Sequence, residues 1–275
     1  MVPMFQAVVL AIFYGFSVFL PISAESHLWA IPYFFDWHEV SIEFKGALAF
    51  SSLLALLVYF RHDWASIFAS FLRVVLLWQK PRTIDERMPF FVLASLIPLL
   101  LAWHFFQGHI LPQGPVALWI GGGLILFSLP LGLSERLNRK TKTIFNWNVL
   151  DAVLLGFCQI LFLIPGGGRQ VGAFTGAYLK NYNLEAALKF AFYSFLPLLI
   201  LESLPFLNAI QWSGSQPLAQ LNWLSLIIVL ITTFFCGLMA IGGLMKNLAS
   251  RGMRGYLTYR CLLGVGLILV YFFKH

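Results

Sequence analysis

The chain has 275 residues, 60% hydrophobic and 11% charged, with a net charge of +7. Soluble domains carry about 25% charged residues, so the composition excludes one and implies a multi-pass integral membrane protein. The basic residues sit in short loops between apolar runs, which is the positive-inside pattern and no sign of a nucleic-acid partner.

Residues 4–22 are apolar, 28–35 are apolar and aromatic, and Pro21, Ser23, Glu25, Ser26 and His27 interrupt them. The second arm is shorter than the ~20 residues a crossing needs, so 4–35 is expected to form a re-entrant hairpin. The first apolar run has no basic lead-in and is broken by Pro21, so no cleavable signal peptide is expected. A spanning helix follows at 44–60. An interfacial helix at 65–78 carries Arg73, with Trp64 and Trp78 at its ends.

A charged loop at 79–88 leads to spans 89–106 and 116–133, joined by a turn with Gly108, Pro112 and Gly114. The basic loop 134–146 closes the first half. The second half opens on another broken apolar segment, 150–180, and continues with spans 186–207, 221–244 and 255–273. Lys246, Arg251 and Arg254 are read as a last basic loop. If the three charged loops share the cytoplasmic side, 150–180 must return to the side it enters from. The expected fold class is an all-α integral membrane protein of two inverted-topology repeats, 1–146 and 147–275. Each repeat is a re-entrant hairpin plus three transmembrane helices. Both termini then lie outside, and the hairpin tips face each other near the midplane.

Unwound backbone and ionisable side chains persist in lipid only where protein or water surrounds them. The two tips are therefore the candidate site. In the second, Gly166, Gly167 and Gly168 can present backbone N–H groups at a helix start, followed by Arg169 and Gln170. Such N–H groups suit an anion, and an arginine fork suits phosphate oxygens. Close-packing glycines with a snorkelling arginine are the plainer alternative. In the first tip, His27 can act as general acid or base near neutral pH. Ser23 and Ser26 offer hydroxyls, and Glu25 can hold a cation or pair with Arg169. A polar patch at a lipid–water boundary is the alternative there. Cys158, Cys236 and Cys261 lie in apolar runs without metal-ligand spacing and read as small buried hydrophobes.

Gly15, Phe19, Leu20, Pro21, Ile22, Ser23 and His27 form one motif, and Pro165, Gly166 and Arg169 a second. Gly156 to Gln159, Pro98, Tyr259 and Arg260 add matches along the chain. In these residues the chain resembles the undecaprenyl-pyrophosphate phosphatase family. The resemblance implies a bacterial inner-membrane enzyme that releases phosphate from a polyprenyl pyrophosphate, recycling the lipid carrier of wall synthesis. It implies the inverted-repeat fold, and it admits a divalent cation, Mg²⁺ or Ca²⁺. On this view His27 is base or nucleophile. Arg169 with Gly166, Gly167, Gly168, Gln170, Ser23 and Ser26 holds the phosphates, and Glu25 is the one candidate metal ligand.

The family's acidic pair stands here as Tyr14 and Val18, and a further acidic position as Lys45. Its motif serines stand as Ala24, Gly168 and Gln170, and its threonine as Ala173. Tyrosine and valine do not bind Mg²⁺ or Ca²⁺ as carboxylates do. Two functions stay open: a divergent phosphatase, or a non-hydrolytic protein that binds or transports a lipid phosphate on the same scaffold. No ring of repeated charges suggests an ion channel.

Overall fold

A computed structural model describes residues 3–106, 114–212 and 223–274. Among these residues the chain is helical without a β-strand: α1 Met4–Ser17, α2 Ala24–Phe35, α3 Ile42–Tyr59, α4 Arg61–Leu76, α5 Ile84–Phe106, α6 Val116–Leu126, α7 Ser128–Leu137, α8 Val149–Gln159, α9 Arg169–Leu179, α10 Leu184–Trp212, α11 Trp223–Arg251 and α12 Arg254–Lys274. Five tracks among the described residues are long and apolar enough to cross a membrane: α3, α6 with α7, α10, α11 and α12. These observations establish an all-helical multi-pass membrane protein. The segment expected at 89–106 lies inside the 23-residue α5, which is not one of the five.

Several boundaries differ from the expected ones for local reasons. The expected span 116–133 is two helices that break at Phe127 and continue to Leu137. Pro130 has no N–H for the Leu126 carbonyl and its ring crowds that carbonyl, so the break falls just after Leu126. Helix α5 starts at Ile84, inside the expected loop 79–88. The Glu86 carboxylate accepts from the N–H groups of Arg82 and Thr83, and the Thr83 hydroxyl accepts from Glu86 N–H, a reciprocal cap. These backbone donors hold the Glu86 carboxyl below its usual range. The expected basic loop 246–254 is mostly helix: α11 runs through Arg251, and Gly252, at φ +63°, turns the chain into α12. Of the turn expected around Gly108, Pro112 and Gly114, the first two lie outside the described residues, as do 221 and 222 of the span expected at 221–244.

The packing partners exchange between the two halves. Helix α1 packs on α11 while α8 packs on α5; α3 packs on α10, α6 on α12, and each of α1 and α8 packs on the helix that follows it. Helices α1, α2, α8 and α9 have 14, 12, 11 and 11 residues. At 1.5 Å per residue each is about 16–21 Å long, less than a ~30 Å hydrocarbon core.

A polar cluster ties the loop before α8 to the loop after α9. Asp151 Oδ2 accepts from Lys142 Nζ at 3.0 Å, Tyr182 OH at 2.7 Å and Asn148 Nδ2 at 3.0 Å. Its Oδ1 faces Lys180 Nζ at 3.2 Å. Trp147 stacks between Tyr182 and Phe190, with ring centroids 4.0 Å away on each side. Burial alone would raise the Asp151 carboxyl, but Tyr182, Lys142 and Lys180 outweigh it and hold it below its ordinary value. A depressed carboxyl contributes stability above its unfolded value, near pH 4, and loses it as pH falls through the folded value. Asp151→Asn should therefore cost about 2–3 kcal/mol at pH 7 and flatten the acid limb of stability. Thermal unfolding in detergent from pH 7 to pH 3 measures both; an unchanged profile would show that the cluster contributes nothing.

Candidate functional site

Two prolines make the two tips. Helix α1 ends at Ser17, four residues before Pro21, because a proline ring cannot follow the carbonyl four residues back in a helix. The chain then turns through Ser23, at φ +71°, and restarts as α2. In the second tip, Pro165 frees the Leu161 carbonyl, which accepts from Gly168 N–H at 3.2 Å. A Cβ on Gly167 would lie 1.7 Å from the same Leu161 oxygen, so a side chain there would open the loop. Gly168 has φ +106°, and a Cβ on it would sit 3.2 Å from Ser23 Cβ. The two tips thus approach so closely that a side chain at Gly168 would press on Ser23.

At that approach lies a small pocket, with room for about one water molecule. Ser17, Val18 and Leu20 line it from the end of α1 and the turn after it, Ser23, Ala24 and Glu25 from the start of α2, and Gly168, Arg169, Gln170 and Val171 from the start of α9. Two helix N-termini therefore converge on one point. First-turn N–H groups have no partner inside their own helix and carry the positive end of the helix dipole. Those of Ala24, Glu25, Gln170 and Val171 make no hydrogen bond among the described residues. Gln170 is 4% exposed, and neither atom of its amide finds a partner among the described residues.

This changes the expected donor set. Gly167 N–H is given to Ile164 O at 2.9 Å and Gly168 N–H to Leu161 O. These two glycine amides close the loop, and the donors facing the pocket belong to the first turns of α2 and α9. Gly166 and Gly167 instead offer carbonyls outward, and Arg260 takes both: Nη2 to Gly166 O at 2.7 Å and Nη1 to Gly167 O at 3.1 Å, with Nε to Ser128 Oγ at 3.0 Å. Arg260 is completely buried.

Arg169 is 6% exposed and faces a partner the sequence reading overlooked. Its Nη2 lies 2.9 Å from Glu202 Oε1 and 3.1 Å from Oε2. Its guanidinium sits 4.2 Å from the centre of the Phe195 ring, a cation–π contact, and buried Tyr14 stands beside the pair. A lone acid in the apolar run of α10, between Pro197 and Pro205, was the available signal. Glu25, expected to meet Arg169 or His27, instead faces Lys45 Nζ at 4.0 Å, with both side chains 44% exposed. A pair so exposed and so long is weak.

His27 is buried, and its ring is used on both sides. Nδ1 lies 2.8 Å from the Ser23 carbonyl and Nε2 2.7 Å from Tyr259 OH. A carbonyl only accepts, so Nδ1 donates to it, and in the neutral ring Nε2 accepts from the tyrosine. The Tyr259 ring stacks on the imidazole at an interplanar angle of 3°. Ser26, also buried, shares a 2.8 Å hydrogen bond with Ser23 Oγ. Neither His27 nor Ser26 lines the pocket. Tyr259 and Arg260 match the resembled family, but the sequence reading gave them no role; they hold one tip each.

Comparison with known proteins agrees with the resemblance. The family model described as "Bacitracin resistance protein BacA" matches residues 7–266. A protein of a Nocardioides species named undecaprenyl-diphosphatase is 30% identical over 271 residues, covering 98% of this chain and 97% of its own. Proteins of the same name from Idiomarina loihiensis and Myxococcus xanthus are 30% and 28% identical, covering 97% and 96% of this chain and 98% and 88% of their own.

The contact between the tips can be tested directly. Gly168→Ala combines a strained positive φ with a 3.2 Å approach to Ser23. It should lower stability by about 1–3 kcal/mol, read as a lower melting temperature in detergent. A melting temperature equal to the parent's would mean that the tips do not meet as described.

Proposed function

The chain belongs to the family of the bacitracin resistance protein BacA, and on that premise we propose that it acts on a polyprenyl diphosphate, undecaprenyl diphosphate in the first instance, releasing phosphate at the pocket between the two tips. The observation that carries this reading is the convergence of two helix N-termini on one point lined by Arg169 and Gln170, whose buried amide finds no partner among the described residues. Each favours an anion, and together they suit the terminal phosphate of a lipid diphosphate. The exchanged packing of the halves and the four short helices support two inverted repeats with re-entrant hairpins. The proposed location is a bacterial inner membrane, with both termini outside.

In this proposal Arg169, Gln170 and the first-turn amides of α2 and α9 hold the terminal phosphate, and the Ser23 hydroxyl donates to it. Glu25, on the pocket wall, takes the proton of an attacking water. The bond between the terminal phosphorus and the bridging oxygen breaks, giving inorganic phosphate and the lipid monophosphate. His27 is a strut: bonded on both nitrogens, it fixes the Ser23 carbonyl. The donor set does not fit a divalent cation held by protein groups alone. Among the described residues no three His, Cys, Asp or Glu side chains converge, and Tyr14 and Val18 stand where the resembled family has its acids. No step is assigned to a metal.

A second reading is binding or transport of the lipid phosphate without cleavage. One observation favours it: Glu25 faces Lys45 and both His27 nitrogens are engaged, so the pocket wall carries one weakly paired candidate base. Purified protein with undecaprenyl diphosphate, assayed for released phosphate and for binding with Mg²⁺, with Ca²⁺ and with EDTA, separates the two. Under the hydrolytic reading Glu25→Gln should slow release by about 10²–10⁴-fold with binding retained. Binding without release in every condition would favour the second reading. Both readings require Arg169: Arg169→Ala should weaken binding by about 2–5 kcal/mol, and Arg169→Lys by less, because the charge stays and the planar fork is lost. Full binding by Arg169→Ala would remove the anion pocket from both.

A further inference from the structure

Glu202 is the charged group at the site that the proposed reaction leaves unused. It lies in α10, in the run 190–212 that holds no other charge. Its side chain is 26% exposed and its two oxygens share one nitrogen of Arg169. The groups that act on it are Arg169 from α9, Tyr14 from α1 and Glu25 from α2. Lys45 of α3 is turned to Glu25, and among the described residues the cation paired with Glu202 is Arg169.

The pocket has room for about one water, less than a phosphate fills, so a phosphate enters only if its walls adjust. The backbone of the second tip is not free to adjust, because Arg260 grips the Gly166 and Gly167 carbonyls from a fully buried position. Side chains must move instead, and Arg169, one of the residues that line the pocket, carries the natural partner for phosphate oxygens. Arg169 is already neutralised by Glu202. A phosphate brought beside that pair places two anions on one cation, and like charges shielded from water repel strongly.

We propose that a phosphate anion entering the pocket takes Arg169 from Glu202, and that Glu202 then binds a proton, so that anion binding is coupled to proton uptake. The step balances: carboxylate plus a proton from solvent gives a neutral carboxyl, and the guanidinium exchanges one anion for another. A carboxylate removed from water without a cation is stabilised by protonation. Binding the phosphate is therefore favoured as pH falls. On release Arg169 returns to Glu202, whose proton leaves. The proposal rests on the anion-pocket reading and is independent of whether hydrolysis follows.

The test is calorimetric binding of undecaprenyl monophosphate to the purified protein in detergent. Two buffers of different ionisation heat give the number of protons taken up. Measurement at pH 8 keeps the phosphate itself, whose second proton leaves near pH 6, out of the count. The parent should take up about one proton per ligand, and its affinity should fall by up to about tenfold per pH unit. Glu202→Gln, which cannot bind the proton, should bind more tightly with a count near zero, and Glu202→Asp should keep the uptake. Binding by the parent with no proton uptake overturns the coupling while leaving the anion pocket intact. So does weaker binding by Glu202→Gln, which would make Glu202 a group that only orients Arg169. No binding by the parent at any pH overturns the pocket reading and the coupling with it.

Discussion

The site depends on two adjacent residues of α12. Tyr259 holds the first tip through His27, and Arg260 holds the second through the carbonyls of Gly166 and Gly167. Neighbours on a helix point about 100° apart, so one short segment can reach two tips from opposite halves of the chain. Arg260 is the more demanding of the two. A fully buried guanidinium is tolerated when its donors are used, and here a hydroxyl and two carbonyls use them. The carbonyls benefit equally, because backbone unwound by a proline leaves acceptors that water cannot reach in a membrane protein.

That clamp turns the glycine carbonyls toward α12, away from the α9 first turn. Ser23 and Gly168 are then close enough for α2 and α9 to aim their N-termini at one pocket. Two positive dipole ends so placed repel one another unless anions balance them. Glu25 in the first turn of α2 and Glu202 beside Arg169 supply that balance in the absence of a ligand. The same four charges, Glu25 with Lys45 and Glu202 with Arg169, sum to zero. The polar donors of the two first turns thus face the pocket, while among the described residues no cluster of carboxylates exists for a cation.

Much of this was legible in the residues. Pro21 and Pro165 mark both interruptions, and the glycine cluster marks the second tip, while the positive φ of Gly166 and Gly168 belongs to the structure. Arg169 stood out as a charge in an apolar run. The glycine N–H groups were assigned to the ligand because their sequence pattern fits a phosphate loop, yet Gly167 and Gly168 spend them on Ile164 and Leu161. From the sequence alone Glu25 is a candidate partner for Arg169 or a cation ligand. The actual partner comes from α10, 33 positions further along the chain, and nothing local announces that pairing.

The sequence by itself determined the class of protein, the two breaks and the family, because these follow from hydropathy, from proline's missing N–H and from local motifs. The tertiary structure decided who faces whom: Glu202 with Arg169, Tyr259 with His27, Arg260 with the glycine carbonyls, and Ser23 with Gly168. Those contacts join residues up to 232 positions apart. Their identity depends on helix rotation and crossing, which are settled by packing shape across the whole molecule and leave no short-range trace in the chain.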